Sequence, residues 1–249
     1  MAYVVDNNDG AGRPYGQLWV MTLADGKSAR VGAGKEPSGN PVWSPDSQSI
    51  AYQGGVGDKR GLIVARPDGA GARFIAEMSG TNAPLPGSGR TVAWSPDSKR
   101  IAFVSSVPGP ETADANADPI VITRYLYKPD AAEGMTRFND NRRLHLFVAD
   151  VASGRVEQLT QGNHYEHSID WSAGGELLYL SKGDADDDEF FNYDLFAMKM
   201  ADKSVRRLSA TESNEYHPRW SPDGSLIAFE ATKRGLPIAR RRWKTPTCG

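Results

Sequence analysis

Short runs in which apolar and polar residues alternate dominate this chain. Leu146-Phe-Val-Ala-Asp-Val151 and Val156-Glu-Gln-Leu159 are two of them. Ile50-Ala51-Tyr52, Ile101-Ala102-Phe103, Leu177-Leu178-Tyr179 and Ile227-Ala228-Phe229 are shorter and more uniformly apolar. A period of two sends neighbouring side chains to opposite faces of a sheet, so these runs predict strands. No stretch keeps apolar residues at i, i+3, i+4 and i+7 for three turns, so helices are expected to contribute almost nothing.

The strands are punctuated by turns that repeat. Trp43-Ser44-Pro45-Asp46 recurs as Trp94-Ser95-Pro96-Asp97 and Trp220-Ser221-Pro222-Asp223, with a degraded copy at Trp171-Ser172-Ala173-Gly174. The tryptophans are 51, 77 and 49 residues apart, so the middle interval is one repeat of about 50 with about 27 residues inserted. In Ser-Pro-Asp-Gly the serine hydroxyl can bond the backbone, proline presets φ, and glycine or serine closes a type I turn. A second turn recurs as Ala24-Asp25-Gly26, Pro67-Asp68-Gly69, Ala152-Ser153-Gly154 and Ala201-Asp202-Lys203. Each repeat therefore reads as strand a, tight turn, strand b, loop, strand c, tight turn, strand d. Four antiparallel strands in about 50 residues make one blade of a β-propeller. The fold class expected is all-β, with about four and a half blades in an open, incomplete ring. The tryptophan closing each a strand is expected to fill the wedge between blades.

Antiparallel strands put alternate connections on opposite edges, so the a–b and c–d turns share one face and the b–c and d–a loops share the other. All the a–b and c–d turns are short. The excursion 107–143 and the acidic segment 183–193 are b–c loops, and 161–167 and 210–217 are d–a loops. Binding is therefore expected on the b–c and d–a face, with Arg142, Arg143, Glu166, His167, Tyr193 and Arg219 as candidates. The excursion holds the apolar run Ile120–Tyr127, which reads as an extra strand projecting from the ring.

Composition removes several alternatives. The net charge of −2 gives no electrostatic reason for a nucleic-acid or anionic-membrane partner. Cys248 is the single cysteine, so no internal disulfide forms. The N-terminus has no basic segment followed by an apolar stretch, so the chain as written is expected in the cytoplasm. No apolar run nears the ~18 residues of a membrane span. No G-x-S-x-G, P-loop or G-x-G-x-x-G segment occurs, and no catalytic residue or cofactor is expected. His164-Tyr-Glu-His167 has metal-like spacing but lacks the helix that would aim both rings at one ion, and no metal is expected. The acidic run Asp184–Glu189 lacks the spacing and glycine of a calcium loop.

The Trp-Ser-Pro-Asp-Gly blades followed by Ile-Ala-Phe strands resemble TolB-type, WD-repeat-like propellers. Ile122–Tyr127, Asn141–Phe147, Tyr165–Trp171, Phe190–Phe196 and Glu215–Gly224 resemble more particularly the N-terminal propeller of serine peptidases of the prolyl oligopeptidase family, in the acylaminoacyl-peptidase and dipeptidyl-peptidase branch. The resemblance covers 1–236, and 237–249 reads as a divergent tail. It implies a propeller that filters peptides for an α/β-hydrolase domain with a Ser-Asp-His triad, a domain outside this sequence. The expectation is accordingly a truncated propeller fragment, not itself an enzyme, whose partners are peptide substrate and the hydrolase domain. The alternatives are a stand-alone TolB-like protein-binding module and a sugar-processing propeller. The last requires clustered d–a carboxylates, for which Glu166, Glu212 and Glu215 are the candidates.

Overall fold

The computed structural model describes residues 1–9, 14–32, 34, 36–83, 85, 89–115, 119–124, 127, 138–182, 192–211 and 213–232. Their architecture is five separate antiparallel sheets, each built from strands consecutive in sequence. The first sheet holds Ala2–Asn7 (β1), Tyr15–Met21 (β2) and Ser28–Val31 (β3) in that order. The second holds Gly39–Trp43 (β4), Ile50–Val56 (β5), Lys59–Ala65 (β6) and Arg73–Ala76 (β7). The third holds Val92–Trp94 (β8), Arg100–Pro108 (β9), Arg142–Asp150 (β10) and Val156–Gln158 (β11). The fourth holds His167–Trp171 (β12), Glu176–Ser181 (β13), Asp194–Lys199 (β14) and Val205–Arg207 (β15). Glu215–Trp220 (β16) and Ile227–Ala231 (β17) form the fifth. The single helix among the described residues is Thr112–Ala115.

Strands a are thus β4, β8, β12 and β16, each an edge of its sheet and each ending on its tryptophan. Three of them carry a bulge. In β4 the register jumps between Gly39 and Val42, in β12 between His167 and Asp170, and in β16 between Tyr216 and Arg219. The bulged residues Asn40, Ser168 and His217 have φ of 52°, 58° and 49°. A bulge on an edge strand explains Pro41 and Pro218, which lack an N–H for the ladder. It also re-aims the residues between the bulge and the tryptophan.

The Trp-Ser-Pro-Asp turns form as the type I turns expected. Ser47 N donates to Ser44 O at 2.9 Å, Ser98 N to Ser95 O at 2.9 Å and Gly224 N to Ser221 O at 2.8 Å. The aspartate does more than tolerate its place. Asp97 Oδ1 accepts from Ser95 Oγ at 2.5 Å and from Lys99 N at 3.1 Å, and Asp46 and Asp223 repeat the arrangement. These bonds to the ionised form hold all three carboxyls below the usual range, Asp223 at about 2.

The chain divides into two compact units, one of 1–79, 92–103 and 148–157, the other of 80–91, 104–147 and 158–249. In the first, Leu18, Val31, Ile50, Tyr52, Ile63 and Ala65 make a buried core against which Trp43 and Phe74 pack. Trp94 belongs to this unit as well, and its Nε1 donates to Val42 O at 3.0 Å. In the second, Tyr165, Leu178, Leu180, Tyr193 and Leu195 are the core, with Leu144, Trp220 and Ile227 packed on it. Each fully buried aliphatic or aromatic side chain contributes about 1.5–3 kcal/mol. The tryptophans are thus packing residues, as expected.

The b–c connections vary most. β5 and β6 are joined by Gly57-Asp58 alone, whereas β9 and β10 are separated by 109–141. The strand expected over Ile120–Tyr127 does not form in the part described. Ile120, Val121 and Ile122 lie outside any strand and are about half exposed. The reason is geometric: β9 and β10 are already paired with each other and with β8 and β11, so neither offers a free edge. Hydrogen bonds to the 80–91 loop fasten the return leg instead. Thr81 Oγ1 donates to Asp140 Oδ1 at 2.6 Å, Asn82 N to Asp140 Oδ2 at 3.1 Å, and Asp140 N to Asn82 Oδ1 at 2.8 Å. No helix among the described residues is long and apolar enough to cross a membrane.

Candidate functional site

The candidate residues lie in the second unit, and the strand ends place them. Arg142 and Arg143 open β10 where the excursion returns. Arg142 Nε donates to Ser106 Oγ at 2.8 Å and its Nη2 to Ser106 O at 2.9 Å, pinning β10 to β9. Arg143 is buried, and its guanidinium is spent on protein. It donates to Asn141 O at 2.7 Å, Glu111 Oε2 at 2.8 Å and Asn163 O at 3.2 Å, and lies over the Tyr165 ring at 5.3 Å. Glu166 ends the d–a loop before β12 and is also buried. Its Oε2 lies 2.6 Å from His145 Nδ1 and accepts from Thr160 Oγ1 at 3.0 Å.

His167 is the first residue of β12. Its Nδ1 is 2.7 Å from Ser168 Oγ, its ring packs on Tyr193 at 4.8 Å, and its Nε2 has no hydrogen-bond partner among the described residues. Burial lowers its pKa to about 4, so the ring is neutral at pH 7. Tyr193 is held from both sides, with the Lys182 ammonium 5.7 Å from its ring centre and its N–H donating to Asn214 Oδ1 at 3.1 Å. No group of three His, Cys, Asp or Glu among the described residues could hold a metal ion.

At the equivalent junction one blade later two acidic residues take the places of His145 and Glu166. Glu215 stands five residues before its tryptophan, as Glu166 does, and Asp194 opens β14 at the place His145 takes in β10. Asp194 is bound by Arg207 and accepts from Ser209 Oγ at 3.2 Å and Thr211 N at 3.1 Å. Glu215 accepts from Thr211 Oγ1 at 2.7 Å, and burial, then the neighbouring Asp194, raises its pKa. Glu212 and the acidic run 184–189 lie outside the described residues, as does the 237–249 tail.

Arg219 departs from the expected face. It is the penultimate residue of β16, at the a–b turn end rather than beside the d–a loop that opens the strand. The bulge puts it next to two residues that were not among the candidates, Arg90 and Asp170. Arg90 Nη1 donates to Asp170 Oδ1 at 3.2 Å, and Trp220 N donates to Asp170 Oδ2 at 2.8 Å. A signal for this cluster exists in the repeat. The residue before each tryptophan is Val42, Ala93, Asp170 and Arg219 in turn, so an apolar position becomes charged in two successive blades.

The fold is shared with known structures. TolB from Acinetobacter baumannii superposes with a TM-score of 0.58 at 17% identity, covering 92% of this chain and 46% of that one. The fold is that of a TolB-like β-propeller. The Pyrococcus horikoshii acylaminoacyl peptidase matches with a TM-score of 0.59 at 17% identity, and the propeller here covers 97% of its own length and 38% of that enzyme. By sequence, the propeller is 26% identical over 173 residues to the uncharacterized peptidase YuxL of Bacillus subtilis strain 168, which is 66% of this chain and 24% of that protein. The chain therefore spans about a quarter of that relative's length. No family model matches. The resemblance to TolB-type propellers and to acylaminoacyl peptidases of the prolyl oligopeptidase family is borne out by these likenesses.

Proposed function

We propose that this chain is the propeller part of a serine peptidase of the prolyl oligopeptidase family, and that it controls which peptides reach a hydrolase domain. The observation that carries this reading is the sequence match to a peptidase of which the chain spans 24%. A relative that long has room for a catalytic domain beyond the blades. Buried Arg143 holds the described ends of the long b–c connection through Glu111 and Asn141 O, and that connection is where peptides are sorted on this reading.

A second reading, a stand-alone module that binds a protein partner, is favoured by the equally good fit to TolB. The genomic sequence flanking this reading frame separates the two. A G-x-S-x-G segment downstream, followed by an aspartate and a histidine in that order, supports the peptidase reading. Flanks without any such segment, together with a protein partner captured by the chain, overturn it.

A further inference from the structure

In the second unit one carboxylate, that of Asp170, lies near two guanidiniums but is bound by only one of them. Asp170 is largely buried on β12, and both its oxygens are used, Oδ1 by Arg90 at 3.2 Å and Oδ2 by the backbone N–H of Trp220 at 2.8 Å. Arg219 immediately precedes Trp220, so the same contact that ties β16 to Asp170 brings a second cation beside Arg90. Among the described residues, Arg219 has one hydrogen-bond acceptor, the carbonyl of Pro218 at 2.6 Å, and no ion pair. Its partial burial, the repulsion of Arg90 and the attraction of Asp170 are all felt by its guanidinium, and the first two together lower its pKa. A buried or half-buried cation without its own anion is costly, and proteins that keep one use it. The cost here is avoidable, since the equivalent positions in the two earlier blades are Val42 and Ala93.

We infer that Arg90 and Arg219 form a fork that binds a carboxylate, the free C-terminus or an acidic side chain of a peptide, beside Asp170 at the turn end of β12 and β16. The geometry suits this ligand. Planar guanidiniums present paired N–H donors that match the two oxygens of a carboxylate. Asp170 holds Arg90 in place and offsets one of the two positive charges, leaving one for the ligand. Arg90 is about half exposed on its side chain, so the fork opens to solvent. The bulge between Tyr216 and Arg219 fixes where the second guanidinium stands. The peptide nature of the ligand rests on the function proposed above; the carboxylate preference rests on the arginines alone.

The test is calorimetric titration of the intact chain with three probes: an N-acetylated tripeptide with a free C-terminus, the same tripeptide as its C-terminal amide, and succinate. The acid tripeptide is expected to bind about tenfold more tightly than the amide, with affinity falling as salt rises. Arg219→Gln and Arg90→Gln are each expected to bring acid and amide within about twofold of each other, while thermal melting shows the fold unchanged. Acid and amide bound equally, with neither substitution altering the ratio, would overturn the fork and leave the peptide reading standing. Succinate bound in an arginine-dependent way while neither tripeptide binds supports the fork and counts against the peptide reading. No arginine-dependent binding of any probe overturns the fork.

Discussion

In two of the blades a serine hydroxyl, that of Ser44 or Ser95, closes the first turn by serving three groups at once. In the third sheet Ser95 is fully buried, and its Oγ donates to Asp97, lies 3.0 Å from Arg100 O and accepts from Arg100 N at 2.9 Å. Ser95→Ala removes a buried hydroxyl, leaves Arg100 N and the Asp97 carboxylate short of a partner and is expected to cost about 1–3 kcal/mol, whereas Ser221→Ala, in an exposed turn, is expected to cost about half as much. Urea unfolding of the two variants checks the order. His167 offers a second test at this scale. Its pKa is about 4 when folded and ordinary, about 6.5, when unfolded, so the unfolded chain takes up the extra proton between those values. Stability is then complete above about pH 6.5 and falls by about 3 kcal/mol as the pH drops to 4. His167→Gln is expected to flatten that dependence, read from melting curves across the window. Gly61 gives a third: its φ is 149°, and a Cβ there would lie 2.2 Å from Ala76 O. Gly61→Ala is expected to destabilise by about 2–3 kcal/mol in the same unfolding experiment, because backbone must move.

Among the elements, the regular parts of the blades were readable and the joints were not. Trp-Ser-Pro-Asp marks three of the a–b turns and Trp171-Ser-Ala-Gly a fourth, because that turn's chemistry is local and demands particular residues. The bulges at Asn40, Ser168 and His217 carry three different side chains, so the only trace they leave is a proline in two of the three strands. The excursion was misread for a different reason. Ile120-Val-Ile-Thr has the composition of a strand, but a strand needs an edge, and that depends on the sheet around it. Contacts between segments far apart in sequence hold the return leg. Asp140→Ala removes the acceptor for Thr81, Asn82 and Arg142. Amide exchange at Asn82 and Arg142 is expected to quicken roughly tenfold, with β12 and β13 unchanged, as measured by hydrogen–deuterium exchange.

Across the whole molecule, repetition made the fold legible and concealed much of the site. Four of the six candidate side chains, those of Arg143, Glu166, His167 and Tyr193, are buried in polar networks. Polar residues in loops are read as available from sequence, and their burial is decided by neighbours from the next blade. Arg90 and Asp170 were missed because they converge with Arg219 only when the loop before β8 and the edge strands β12 and β16 are brought together. On the functional side, the sequence holds no G-x-S-x-G segment, and the function proposed above leaves peptide-bond cleavage to another domain. The purified chain is expected to leave aminoacyl p-nitroanilides uncleaved; turnover that co-purifies with it to homogeneity would count against the reading.

The hairpin at β9 and β10 has one further consequence, for how such a protein diversifies. The two strands are neighbours, so the chain departs at Pro108 and returns at Arg142 on the same rim, much as β5 and β6 are joined by Gly57-Asp58. Residues 109–141 are therefore a cassette that evolution or a designer can exchange while the blade keeps its register. One condition travels with the exchange. Glu111 and Asn141 O lie in the cassette and are two of the three acceptors of buried Arg143. Any replacement must bring its own acceptors for that guanidinium or replace the arginine too, because a stranded charge beneath the rim would unsettle the blade that carries it.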